Sequence, residues 1–190
     1  MGGINCGGAR PKSCNIAENE IENLRLAYAS IVKNVFQINV YFSLANAHVE
    51  EIMSLEKTTQ HTLAFAKYED VKQNLLTSWN ASVALDNNLD DFFKNLNEVQ
   101  SDIELSNDEV LILKEMSAAN TKMSNLIYDL YNAYEVMPYE KLLMEGQVHE
   151  YLRHGSITKL TEDIVGLLSQ ELVFLKKYSV MTKEVELINS

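Results

Sequence analysis

One repeat constrains this chain more than anything else in it. Apolar or small residues fall at Ala17, Ile21, Leu24, Tyr28, Ile31, Val35, Ile38, Phe42, Ala45, Val49 and Ile52, and the steps alternate four and three without a miss. That spacing is a heptad seam on one long helix. A second stripe, Val32, Phe36, Val40, Leu44 and Ala47, widens the apolar face. A helix apolar over so wide an arc is expected to be covered by several others.

The rest of the chain suits long helices. It has 7 glycines and 2 prolines in 190 residues, and Gly2, Gly3, Gly7 and Gly8 lie near its start. Few helix breakers therefore remain downstream. Residues 1–14 are read as an irregular Gly- and Cys-containing leader, and 15–190 as one helical-bundle domain. Asn15-Ile16-Ala17-Glu18 has the form of a capping box, so the first helix is expected to start at Asn15. Its seam ends after Ile52, and the polar run Glu56 to Thr62 predicts a turn that no Gly or Pro marks.

A second helix is expected over Leu63 to Ile103, with a weak break signal at Asp86-Asn87-Asn88. Its seam runs Ala64, Tyr68, Val71, Leu75, Ser78, Ser82, Leu85, Leu89, Phe92, Leu96, Val99 and Ile103, with two serines in the middle. Ser106-Asn107-Asp108-Glu109 is the clearest start signal, an S-x-x-E box before an apolar run. The third helix then carries Ile112, Met116, Ala119, Met123, Leu126, Leu130, Ala133 and Met137 inward, and Pro138 stops or kinks it. A shorter helical segment follows, Pro138 to His154, with Leu142, Leu143, Val148 and Leu152 inward. Gly155 closes it and Ser156 caps the last helix. That helix has the seam Ile157, Leu160, Ile164, Leu167, Glu171, Phe174, Tyr178, Met181, Val185 and Ile188, and a second stripe Val165, Leu168, Leu172 and Leu175. The fold class is all-α: an elongated antiparallel bundle of four long helices plus the shorter segment from Pro138 to His154.

Charge narrows the function classes. The net charge is −11, from 16 basic and 27 acidic residues. Such a surface repels phosphate, which argues against nucleic acid and against a broad electrostatic membrane face. No run spans a bilayer: the best stretch, Leu26 to Val49, carries Lys33, Asn34, Gln37, Asn39 and Asn46. No hydrophobic signal core follows Met1, so the chain is either cytosolic or an exported chain whose signal was removed.

Known catalytic patterns are missing from the sequence. The residues three before His48, His61, His149 and His154 are Ala45, Thr58, Gly146 and Tyr151, so the Glu-x-x-His of di-iron bundles does not occur. There is no His-Glu-x-x-His, P-loop, Gly-x-Gly-x-x-Gly or Cys-x-x-Cys-His. No cofactor or metal set is expected. Glu145 and His149, four apart and near His154, read as an exposed surface pair. His48 reads as a rim residue beside the seam. Asn80-Ala81-Ser82 matches a glycosylation sequon but falls inside a helix, where acceptor sites seldom lie.

Three groups remain as candidates. Ser78, Ser82 and Glu171 interrupt the seams and are the candidate ligand-facing residues. The bland alternative has the serines bonding back to their own helix, and Glu171 at the bundle edge or paired with a Lys. Tyr128, Tyr131, Tyr134 and Tyr139 cluster near Pro138, either as a partner patch or as packing that locks the break. Cys6 and Cys14, the only cysteines, are the candidate disulfide. Lipidation through Gly2 and Cys6, or two free thiols, are the alternatives.

These features rank a non-enzymatic interaction or structural protein first, extracytoplasmic and acting on a protein partner. A ligand-sensing bundle and a lipid-anchored cytosolic scaffold follow. Heptad seams also pair between chains, so a homo-oligomer stays open.

Overall fold

The computed structural model describes residues 12–99 and 107–189. Six helices follow in order: α1 (Lys12–Lys57), α2 (His61–Val99), α3 (Asn107–Glu135), α4 (Tyr139–Met144), α5 (Val148–Arg153) and α6 (Ser156–Asn189). The four long ones form the antiparallel bundle that the seams demand. At 1.5 Å per residue, α1 and α2 are rods of about 70 and 60 Å. α1 packs along α2, α2 along α3 and α3 along α6, while α6 meets α1 only lightly. Tyr28 ties α1 to α6, its hydroxyl donating to the Leu175 carbonyl at 3.3 Å.

The first helix begins at Lys12 rather than at Asn15, so Cys14 belongs to the helix and not to an irregular leader. Pro11 directly precedes it in sequence, and proline favours the start of a helix over its interior. Cys6, and with it the Cys6–Cys14 pairing, lies outside the described residues. So do the Ser106 cap and the expected extension of the second helix to Ile103.

The unmarked turn is real and short. α1 ends in a Schellman arrangement: Gln60 N–H donates to Leu55 O at 3.0 Å and Thr59 N–H to Glu56 O at 3.2 Å. This places Thr59 at φ 58, a left-handed conformation that a β-branched residue tolerates poorly. Thr59→Gly is therefore expected to stabilise the protein by about 0.5–1 kcal/mol. Urea unfolding of the two proteins checks this, and a loss of stability would show that the Thr59 hydroxyl, 2.8 Å from the Thr58 carbonyl, outweighs the strain.

Asp86-Asn87-Asn88 does not break α2, which runs through it between buried Leu85 and Leu89. The segment after Pro138 is two short helices. Gly146 at φ 68 closes α4, with Gln147 N–H donating to Leu142 O at 2.8 Å. Glu145 is consequently the C-cap residue of α4 while His149 stands on α5, and the two share no helical face. Leu142, Val148 and Leu152 point inward as expected. At Gly155 (φ 71) the chain turns into α6, and the Gly155 carbonyl accepts from Lys159 N–H. Ser156 is thus the first helical residue rather than the cap.

Two core faces differ from the sequence pattern. On α3 the buried column is Leu113, Asn120, Ile127 and Tyr134, beside Met116, Met123 and Leu130. The expected Ile112, Ala119, Leu126 and Ala133 are one position off and half-buried. The polar Asn120 hides this column from a hydrophobicity reading. On α1 most of the second stripe is not covered: Val32 packs against the core, but Phe36, Val40 and Leu44 are 56%, 50% and 42% exposed. Val40, two residues from both Ile38 and Phe42, lies nearly opposite the seam, and Phe36 and Leu44 flank it on that outer side. Neighbours that pack on the seam cannot reach it. In α6, likewise, Leu168 and Leu175 are buried but Val165 and Leu172 face out.

Candidate functional site

Small polar residues on α2 let the helices approach closely at mid-bundle. Ser78 Oγ donates across to the Ile38 carbonyl of α1 at 3.0 Å. Ser82, one turn on, donates back to the Trp79 carbonyl at 2.6 Å and lies 2.9 Å from Ser124 Oγ on α3. Asn120 extends the layer, its Nδ2 donating to the Ser82 carbonyl at 2.9 Å and to Asp86 Oδ1 at 2.6 Å. Asn34, one turn from Ile38 on α1, is buried as well.

Glu171 closes this layer from α6. It is fully buried, and among the described residues neither of its carboxyl oxygens has a hydrogen-bond partner; Asn120 Oδ1 has none either. The edge-or-Lys expectation for Glu171 is thereby overturned. A charge in such a place loses its hydration, so burial pushes the Glu171 carboxyl up to about 8, and the nearby Asp86 adds to this. Burial also raises the Asp86 carboxyl, while Asn120 and Thr121 bonds hold it down. Burial thus favours the protonated acid at Glu171. Ser82 and Glu171 share one polar layer, with Ser78 a turn away. The residues that sequence reasoning missed are Asn34, Asn120 and Ser124. The S-x-x-x-S spacing of Ser78 and Ser82 pointed to the level but not to its partners on α1 and α3.

The tyrosines do not form an outward patch. Tyr134 and Tyr139 are in the core. Tyr68 meets Tyr134 edge-on at 5.2 Å and Tyr139 at 5.7 Å. Its hydroxyl donates to the Met137 carbonyl at 2.6 Å, and Tyr139 bonds Glu56. Only Tyr128 is exposed, and it packs on Trp79 at 5.2 Å. Tyr134 and Tyr139 therefore pack with Tyr68 beside the Pro138 break, while Tyr128 also stacks near Tyr131. Glu145 and His154 line a cleft of about 390 Å³ with Met137, Leu142 and Tyr151, and His149 is not part of that lining.

The outer face of α1 carries a row of exposed apolar residues that no helix among the described residues covers. Phe36, Val40 and Leu44 run along it with Ala29 and Ala47, all exposed. No helix among the described residues is long and apolar enough to cross a membrane. Comparison with protein-family models, with curated proteins and with solved structures finds no match.

Proposed function

We propose that this chain is a non-enzymatic interaction protein whose outer α1 face docks another protein. One observation carries the reading: α1 has two apolar faces, and the bundle uses only one of them. Water-exposed Phe36, Val40 and Leu44 on a single rigid rod make the kind of patch that marks a protein–protein contact. A photo-crosslinking residue placed at position 40 in the native cell is expected to yield a discrete adduct. The same residue at exposed Asn80, on α2, serves as the control. Adducts at neither position, or equally at both, would sink the reading.

Its extracytoplasmic placement rests on Cys6 and Cys14. Intact mass of the native protein tests it. Two thiols that alkylate only after reduction are the expected result, because disulfides persist in oxidising compartments. Acyl mass on the N-terminal peptide would instead make the chain a membrane-tethered scaffold.

A second reading, a ligand-sensing bundle, draws support from the three oxygens on Glu171 and Asn120 that have no hydrogen-bond partner among the described residues. A small donor molecule or cation at that level would satisfy them. Ligand-induced thermal shifts seen in the wild type and lost in Glu171→Gln would bring this reading to the front.

A further inference from the structure

The outer face of α1 is a second heptad seam. Glu22, Leu26, Ala29, Lys33, Phe36, Val40, Ser43, Ala47, Glu50 and Ser54 follow one another at alternating four and three, and every one of them is exposed. We propose that the occupant of this seam is a second copy of the same chain, lying antiparallel on it about a twofold axis between residues 41 and 42. The inference rests on the interaction reading and names its partner.

The argument is one of complementarity. Reversing the seam about that axis maps it onto itself. Phe36 of one protomer falls opposite Ala47 of its partner, large against small. Val40 falls opposite Ser43 near the axis. Lys33 falls opposite Glu50, plus against minus, and the twofold makes each of these pairs occur twice. Leu26, 59% exposed, reaches the end of the partner's α1, beside the cleft lined by Ser54, Leu55, Leu63 and Lys67. The contact from 29 to 54 is roughly 40 Å long.

Neighbouring arrangements fit worse. A shift of one seam step puts Leu26 opposite Glu50 in one direction, and Val40 opposite Glu50 in the other. A parallel, in-register pair sets Lys33 on Lys33 and Glu50 on Glu50. Like charges facing each other across a seam select against it. Glu50 already meets Arg153 within its own chain, so Lys33 would complete an alternating row of charges.

Sedimentation equilibrium from low micromolar to several hundred micromolar protein tests the proposal. The wild type is expected to reach a dimer and stop, as a closed twofold contact requires. Ala47→Phe sets two large rings against each other and is expected to weaken the dimer by at least about tenfold. Phe36→Ala in the same chain exchanges large for small on both sides and is expected to restore affinity to within about threefold of wild type. Both positions are exposed, so folding is not at stake. A wild type that stays monomeric, or a dimer that Ala47→Phe leaves unchanged, overturns the second copy as occupant. A monomer whose position 40 still crosslinks to a protein of different mass fails this inference and leaves the interaction reading standing. A monomer with no adduct fails both.

Discussion

Glu171→Gln is expected to make the protein more stable at pH 8 and to remove most of the pH dependence of stability between about pH 5 and pH 8. The sign follows from proton linkage. The folded state holds the Glu171 proton up to about pH 8, whereas the ordinary carboxyl value is 4.5. Between those values the unfolded chain binds fewer protons than the folded one. Stability therefore falls as pH rises, by on the order of 1 kcal/mol per pH unit from this group, and levels off once the folded carboxyl ionises. Gln keeps the shape and never ionises. Urea midpoints of both proteins at pH 5, 6, 7 and 8 measure the difference. Curves that stay parallel across the range would mean that Glu171 is solvated or paired in solution. The stabilising direction at high pH is the ordinary result of removing an unpaired buried ionisable group.

Tyr68→Ala is expected to cost about 3–5 kcal/mol, the scale for truncating a large buried ring. The position is demanding because Tyr68 does two things at once. Its ring is fully buried against Tyr134 and Tyr139. Its hydroxyl supplies a donor to the Met137 carbonyl at 2.6 Å, where the next residue is Pro138 and the helix ladder has ended. Tyr68→Phe separates the two roles. It keeps the ring and leaves that carbonyl unpaired, so about 1–3 kcal/mol is expected. Equilibrium unfolding in urea gives both numbers. Equal losses for Phe and Ala would assign the whole effect to the hydroxyl, and losses below about 1 kcal/mol for Ala would remove Tyr68 as the anchor of the α3–α4 bend.

The outer α1 seam and the buried polar layer point to different uses of one rod. The first is a surface with its energetics still unspent, since Phe36, Val40 and Leu44 face water. The second is a place where the bundle tolerates a carboxylic acid in its interior. Such a group weakens the fold as pH rises, and nearby Asp86 is held by Asn120 in the row of bonds that ties α2 to α3.

Local pattern by itself determined the architecture. Heptad spacing needs only residue type and position, so four long helices, the Pro138 stop, the Gly155 exit and the inward Leu142, Val148 and Leu152 were all legible. The turn at 58–60 was legible only as a lapse in the seam, because Thr59 adopts a conformation that usually belongs to Gly. What the tertiary structure alone decided is which side of each helix meets which neighbour. Phe36 and Val40 look like an extension of the α1 core face until α2 and α6 are seen to occupy the opposite side. Asn120 looks like a surface residue until Asp86 and the Ser82 carbonyl stand within hydrogen-bond reach. Glu171 looks like an edge charge until the fold buries it completely. Periodicity reports a helix's own faces, whereas burial and partnering depend on elements distant in sequence. For the same reason the tyrosines read equally well as patch or packing, until the chain folded Tyr134 and Tyr139 onto Tyr68.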